Sequence, residues 1–225
     1  MRYGIFFFIG GISSFYCSTV MAFPGSVILV WTGFSFFIVA LAYFKLGPWI
    51  IGKKADGMIS FFNKILLWPY FIVTWSLWHI YRLLSDEDPL NELVPHIFIG
   101  RRLLSSEMRP EIDLVLDLTC EFTEPGEIVS QKQYFCLPIL DAATPQPEDL
   151  LALINVLNAA SGTIFIHCAQ GHGRTAMVAA ALLLSRGLAV DVRDAISLIA
   201  KKRPKIHLQR NQYEFVSQFC MMVKS

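Results

Sequence analysis

His167-Cys168-Ala169-Gln170-Gly171-His172-Gly173-Arg174-Thr175 is the stretch that decides how this chain folds. Residues 163–166 before it are β-branched and aromatic, the composition of a buried strand. Residues 175–184 after it are rich in Ala and Leu, the composition of a helix. The quoted stretch is therefore the turn from a strand end into a helix start, where free backbone N–H groups and the positive end of the helix dipole favour an anion. Five residues separate Cys168 from Arg174, so a thiol and a guanidinium share one small turn. A thiol beside a helix start and a cation is drawn toward its thiolate, which makes Cys168 the candidate nucleophile. Gly171 and Gly173 let the backbone turn its amides inward, and Arg174 can grip two oxygens of a tetrahedral anion in a bidentate fork. Thr175 can donate its hydroxyl to the sulfur and help it leave. Ala169, Gln170 and His172 complete the cradle, His172 lining its mouth or adding positive charge when protonated. Alone, such a Cys is usually a core filler and such an Arg a solvated charge; their fixed offsets on a strand-loop-helix background carry the functional reading.

As a motif, HCAQGHGRT resembles the HCxxGxxR[ST] signature of the cysteine-dependent protein tyrosine phosphatases, and its GxGR form in a short domain is most similar to the dual-specificity branch. The resemblance spans residues 89–225. It implies a phosphocysteine intermediate at Cys168, transition-state binding by Arg174 and the loop amides, and a general-acid Asp on an upstream loop. Ala176 stands where many relatives carry glycine.

Expelling an alkoxide or phenoxide needs a proton donor within hydrogen-bond reach. Asp141, in Leu137-Pro138-Ile139-Leu140-Asp141-Ala142-Ala143, follows a short apolar strand and precedes Thr144-Pro145-Gln146-Pro147. Placement on a loop beyond a strand favours it as acid in the first step and base in the second. Asp113 and Asp117 flank the strand 114–116 and read more simply as strand-end or turn residues. His167 is expected to orient the loop through hydrogen bonds, a role that a buried, satisfied histidine would mimic. Gln212 resembles a position on the family's last helix that helps place water; an exposed helical amide is the competing reading.

Hydrophobic residues make up 54% of the chain and mean hydropathy is +0.49, too apolar for an ordinary soluble domain. The excess lies at the N-terminus, where no charged residue stands between Arg2 and Lys45. Pro24-Gly25-Ser26 divides this run into halves of about 20 residues, the length that spans a bilayer. The expectation is a hairpin of membrane helices at about 3–22 and 26–46. A cleaved leader ending near Val20-Met21-Ala22 is the competing reading of the first half. Arg2 on one side and Lys45, Lys53 and Lys54 on the other place both ends in the cytoplasm. Residues 65–84 are dense in Trp and Tyr and contain Pro69, which suggests an interfacial or re-entrant helix, with a third crossing as the alternative.

The expected organisation is a membrane anchor over 1–84 and a catalytic domain over 85–225, joined through Asp86-Glu87-Asp88-Pro89. Strands at 97–100, 114–118, before Asp141 and before His167 alternate with helices at 148–159 and from Arg174, Asp191 and Gln209. That pattern is an α/β fold, a central sheet covered by helices. The run Lys201-Lys202-Arg203-Pro204-Lys205 reads as a solvated helix end or a patch facing anionic lipid. Five cysteines with an accessible thiolate suit a reducing compartment. There is no Cys/His spacing for a metal, and the reading calls for neither metal nor cofactor. A net charge of +1 argues against a nucleic-acid partner. The expected activity is hydrolysis of phosphate monoesters on phosphoproteins, with phospholipid headgroups, or non-catalytic phosphate binding at a membrane, as alternatives.

Overall fold

The structure is a computed structural model that describes residues 2–224. They form two compact units, one of residues 2–54, 58–85 and 120–123, the other of 55–57, 86–119 and 124–224.

In the first unit, α1 (Arg2–Ser18) and α2 (Gly25–Leu41) form a hairpin, and α2 runs on through a π-helical turn, Ala42–Leu46. The continuous helix Gly25–Leu46 has 22 residues and contains an 18-residue stretch of mean hydropathy 2.2, long and apolar enough to cross a membrane. The two helices approach through small residues: a Cβ built on Gly11 would lie 3.2 Å from the Gly33 carbonyl oxygen, the close backbone contact that small residues permit. The first helix ends at Ser18, short of the expected residue 22, in a turn that precedes Pro24. Residues 61–84 form two helices, α3 (Phe61–Leu66) and α4 (Trp68–Leu84). Pro69 stands in the first turn of α4, where its missing N–H costs nothing. The indole of Trp75 donates to the Glu121 carbonyl at 2.8 Å, giving one buried polar edge of this aromatic helix a partner.

The second unit is built on five strands: β1 (Leu90–Val94), β2 (Ile97–Arg101), β3 (Leu114–Thr119), β4 (Gln133–Ile139) and β5 (Ile164–Cys168). Their spatial order is β1-β2-β5-β3-β4. β1 is antiparallel to β2 and the other pairs are parallel. The motif strand β5 is thus central, with Cys168 beside Arg101 and His167 between Gly100 and Asp117. β1 was not expected from the sequence, since polar Asn91 and Glu92 interrupt it; an edge strand has only one neighbour to satisfy.

Alternation along β5 sends Ile164 and Ile166 into the larger core and Phe165 into a smaller one with Phe98, Val115 and Ile128. The helices are α5 (Gly126–Gln131), α6 (Pro147–Ala159), α7 (Gly173–Ser185), α8 (Val192–Lys202) and α9 (Arg210–Lys224). Ile128 places α5 against the smaller core, and α6 to α9 contribute to the larger one. Every residue of α7 from Arg174 to Leu184 is buried, so its all-round apolar character marks a core helix. Removing one of its leucines to alanine would cost about 2–5 kcal/mol. Such a helix holds its N-terminus, and the loop before it, in a fixed place.

Candidate active site

Cys168 closes β5 and is 3% exposed, a buried thiol rather than the accessible one expected. The loop turns at Gly171, where φ is +75°. A Cβ there would fall 2.3 Å from the Gly100 carbonyl carbon, so only glycine fits so close to β2. The chain enters α7 through His172, and Gly173 is its first helical residue. The amides of Gln170, Gly171 and Gly173 make no backbone hydrogen bond among the described residues, which leaves donors at a helix start for an anion. Thr175 is fully buried and its hydroxyl has no hydrogen-bond partner among the described residues.

Arg174 is 2% exposed and reaches across to the loop after β4. Its Nη1 donates to the Ile139 carbonyl at 2.9 Å, and its Nη2 lies 3.5 Å from Asp141 Oδ1. The structure therefore brings Asp141 and Arg174 together, although 33 positions separate them in the sequence. The Asp141 side chain is 52% exposed, open to solvent. Ala142 after it has φ of +57°. Asp113 and Asp117 do not share this place. Asp113 accepts from the Thr163 amide at 2.8 Å, and Asp117 is buried in the sheet, accepting from the amide and hydroxyl of Thr119.

Gln212 is fully buried, which removes the exposed-amide reading. Its Nε2 donates to the Ala143 carbonyl at 3.1 Å and its Oε1 accepts from the Gln209 amide at 3.1 Å. Asn211 donates to the Ala142 carbonyl at 2.9 Å. Two adjacent amides of α9 thus hold the backbone after Asp141. Asn211 escaped the sequence reading because nothing local distinguishes it from a surface asparagine.

His167 is fully buried and stacks on Phe165, ring centroids 5.2 Å apart. Its Nε2 is 3.8 Å from Glu124 Oε1, and the other Glu124 oxygen is 3.3 Å from Arg102 Nε. Tyr134 donates to Asp117 at 2.8 Å. Burial first, and then the Asp117 carboxylate, push the Tyr134 phenol far above its ordinary range. Asp117, Glu124 and His167 offer ligand atoms within 4.8 Å of one another. The bonds from Thr119 and Tyr134 to Asp117, and the contact of Arg102 with Glu124, occupy oxygens that a cation would need.

Arg203 corrects the expectation of a solvated basic run. It is 2% exposed and its guanidinium bonds the Gln170 and Gly171 carbonyls on the outer side of the loop. Glu87, from the acidic linker, lies 2.7 Å from His172 Nε2.

The geometry has counterparts. Residues 102–221, more than half of the chain, match the family "Dual specificity phosphatase, catalytic domain". No curated protein matches the sequence. Among solved structures, PTPMT1 in complex with PI(5)P is 18% identical with a TM-score of 0.55, covering 61% of this chain and 97% of that one. Human DUSP28 is 18% identical with a TM-score of 0.52, covering 63% and 99%. The active form of Tk-PTP is 22% identical with a TM-score of 0.54, covering 59% and 97%. These likenesses are of fold. With the family match running from Arg102 to Met221, through the loops that hold Asp141 and Cys168, this chain belongs to the dual-specificity phosphatases.

Proposed function

We propose that the chain is a membrane-anchored phosphatase, with residues 1–84 as anchor and 85–225 as catalytic domain, that hydrolyses phosphate monoesters on phosphotyrosine or phosphoserine/threonine proteins. The observation that carries this reading is the placement of Arg174, in the first turn of α7, which contacts both Ile139, the last residue of β4, and Asp141 on the loop after it. Cys168 Sγ attacks phosphorus as the ester P–O bond breaks, and Asp141 gives its proton to the leaving oxygen. Arg174 and the amides of the 169–174 loop bind the equatorial oxygens as charge spreads over them. The ionised Asp141 then takes a proton from water, whose oxygen attacks phosphorus and breaks the S–P bond. Thr175, whose buried hydroxyl has no hydrogen-bond partner among the described residues, donates to the departing thiolate. His167 orients the nucleophile loop, and Gln212 holds the backbone after Asp141 and helps place the water.

A phospholipid headgroup is the second reading. Its support is the membrane-length helix Gly25–Leu46 and the similarity to PTPMT1, whose structure holds PI(5)P. Phosphate release by the detergent-purified full chain tests both, on a phosphotyrosine peptide and on mixed micelles of phosphorylated lipid. Cys168→Ser is expected to abolish turnover and Asp141→Ala to lower it by roughly 10²–10⁴-fold, more for poor leaving groups. The better substrate selects the class; a wild type silent on both overturns catalysis in favour of a phosphate-binding adaptor.

A further inference from the structure

Arg203 follows α8 in a run that reads as surface charge, yet its guanidinium is buried and fully engaged. Its Nε donates to the Gly171 carbonyl at 3.0 Å and its Nη2 to the Gln170 carbonyl at 3.1 Å. Its Nη1 donates to the Asp88 carbonyl at 2.9 Å and to Asn91 Oδ1 at 2.8 Å. Glu87 Oε2 lies 3.7 Å from Nη2 and 2.7 Å from His172 Nε2. Three consecutive residues of the nucleophile loop are thus held from outside by one guanidinium and the carboxylate beside it.

The peptide plane turns this contact into a statement about the loop's inner face. In a trans peptide the carbonyl of one residue and the N–H of the next point in opposite directions. Holding the Gln170 and Gly171 carbonyls toward Arg203 therefore directs the N–H groups of Gly171 and His172 away from it, into the turn. On the phosphatase reading, on which this inference rests, those are donors to the phosphoryl oxygens. We infer that Arg203 is a positioning residue for catalysis: it fixes two peptide planes of the nucleophile loop so that the Gly171 and His172 amides face the phosphoryl group. Four acceptors around one side chain call for a guanidinium. A lysine ammonium offers three donors in a cone and cannot reproduce the fork.

The test uses the full chain in detergent, with p-nitrophenyl phosphate turnover and calorimetric binding of inorganic phosphate and vanadate. Arg203→Met is expected to lower kcat/KM roughly 100-fold, the scale of a small misplacement in an active site, and to weaken vanadate binding in step. Arg203→Lys is expected to fall between. A loss of folded molecules alone would lower apparent kcat while leaving KM and the vanadate affinity of the remaining sites unchanged; that result overturns the proposal. Val216→Ala, a fully buried core change on α9, supplies the stability-matched control and is expected to show that second pattern. Arg203→Ala opens a guanidinium-sized hole beside a cavity of about 280 Å³ lined in part by Asp88, Asn91 and Arg203. Added guanidinium at millimolar concentration is expected to restore vanadate binding where equal ionic strength from sodium chloride does not. An active wild type with unimpaired Arg203 variants defeats this inference alone. A wild type with neither turnover nor oxyanion binding defeats the phosphatase reading and this inference with it.

Discussion

Gln212 Nε2 donates to the carbonyl of Ala143 across 3.1 Å, so the last helix of the fold grips the loop that carries Asp141. Gln212→Leu keeps the volume and removes the bond. Because proton donation matters most where the leaving oxygen is basic, the expected loss is about tenfold on an alkyl phosphate, a tenth or less of the whole general-acid effect, and smaller on p-nitrophenyl phosphate. Steady-state kcat on the two substrates checks it. Equal losses on both would show that Gln212 does not act through the acid.

Gly171→Ala puts a Cβ 2.3 Å from the Gly100 carbonyl carbon at a positive φ of 75°. The left-handed conformation alone costs a non-glycine residue about 1–2 kcal/mol, and the clash adds to it. The variant is expected to melt several degrees lower and to lose vanadate binding, read by thermal unfolding and calorimetry.

Arg174→Lys keeps the charge but gives up the planar fork that reaches the acid loop. Turnover is expected to fall by about 10²–10³-fold, the scale for losing a donor aimed at the transition state. Single-turnover kinetics should show the deficit in phosphocysteine formation.

Tyr134 holds its proton more tightly in the folded protein than in the unfolded chain. Its contribution to stability is therefore complete below about pH 10, the ordinary phenol value, and declines as pH rises beyond it, because only the unfolded state releases the proton. Denaturant unfolding from pH 8 to 11 should show that decline. Tyr134→Phe is expected to be less stable by about 1–3 kcal/mol at pH 8, having left Asp117 short of a donor, and to lack this residue's share of the alkaline decline.

Asp191 caps α8 by accepting from the Asp194 amide at 2.8 Å. Asp191→Ala is expected to cost about 1 kcal/mol of stability with turnover unchanged, measured by denaturant midpoint and p-nitrophenyl phosphate hydrolysis. A loss of activity would reveal coupling from this helix to the loop that Arg203 holds.

The turn from β5 into α7 was legible because its residues are local: Cys168, two glycines, Arg174 and Thr175 lie within eight consecutive residues. The loop position of Asp141 was legible because a strand and a Pro-rich loop bracket it. Arg203 was misread, since a basic run after an amphipathic helix is usually wet, and only the fold brings the Gln170 and Gly171 carbonyls to it. The same holds for Asn211 and Glu87, whose partners lie 69 and 85 residues away. β1 was missed because alternation is weak in a strand paired on one side. The helix boundaries near Ser18 and Leu67 were misplaced because apolar composition runs straight through both breaks.

The sheet order has a consequence for how this chemistry can be retuned. β5, which ends in Cys168, is hydrogen-bonded on both sides, while β4, which leads to Asp141, has a single neighbour. Cys168 stands on a strand paired along both edges, and Asp141 follows a border strand, where a change of sequence disturbs fewer backbone partners. On the proposed function, a lineage or an engineer can therefore rewrite the β4 border, and with it the choice of leaving group, while the strand under Cys168 stays as it is.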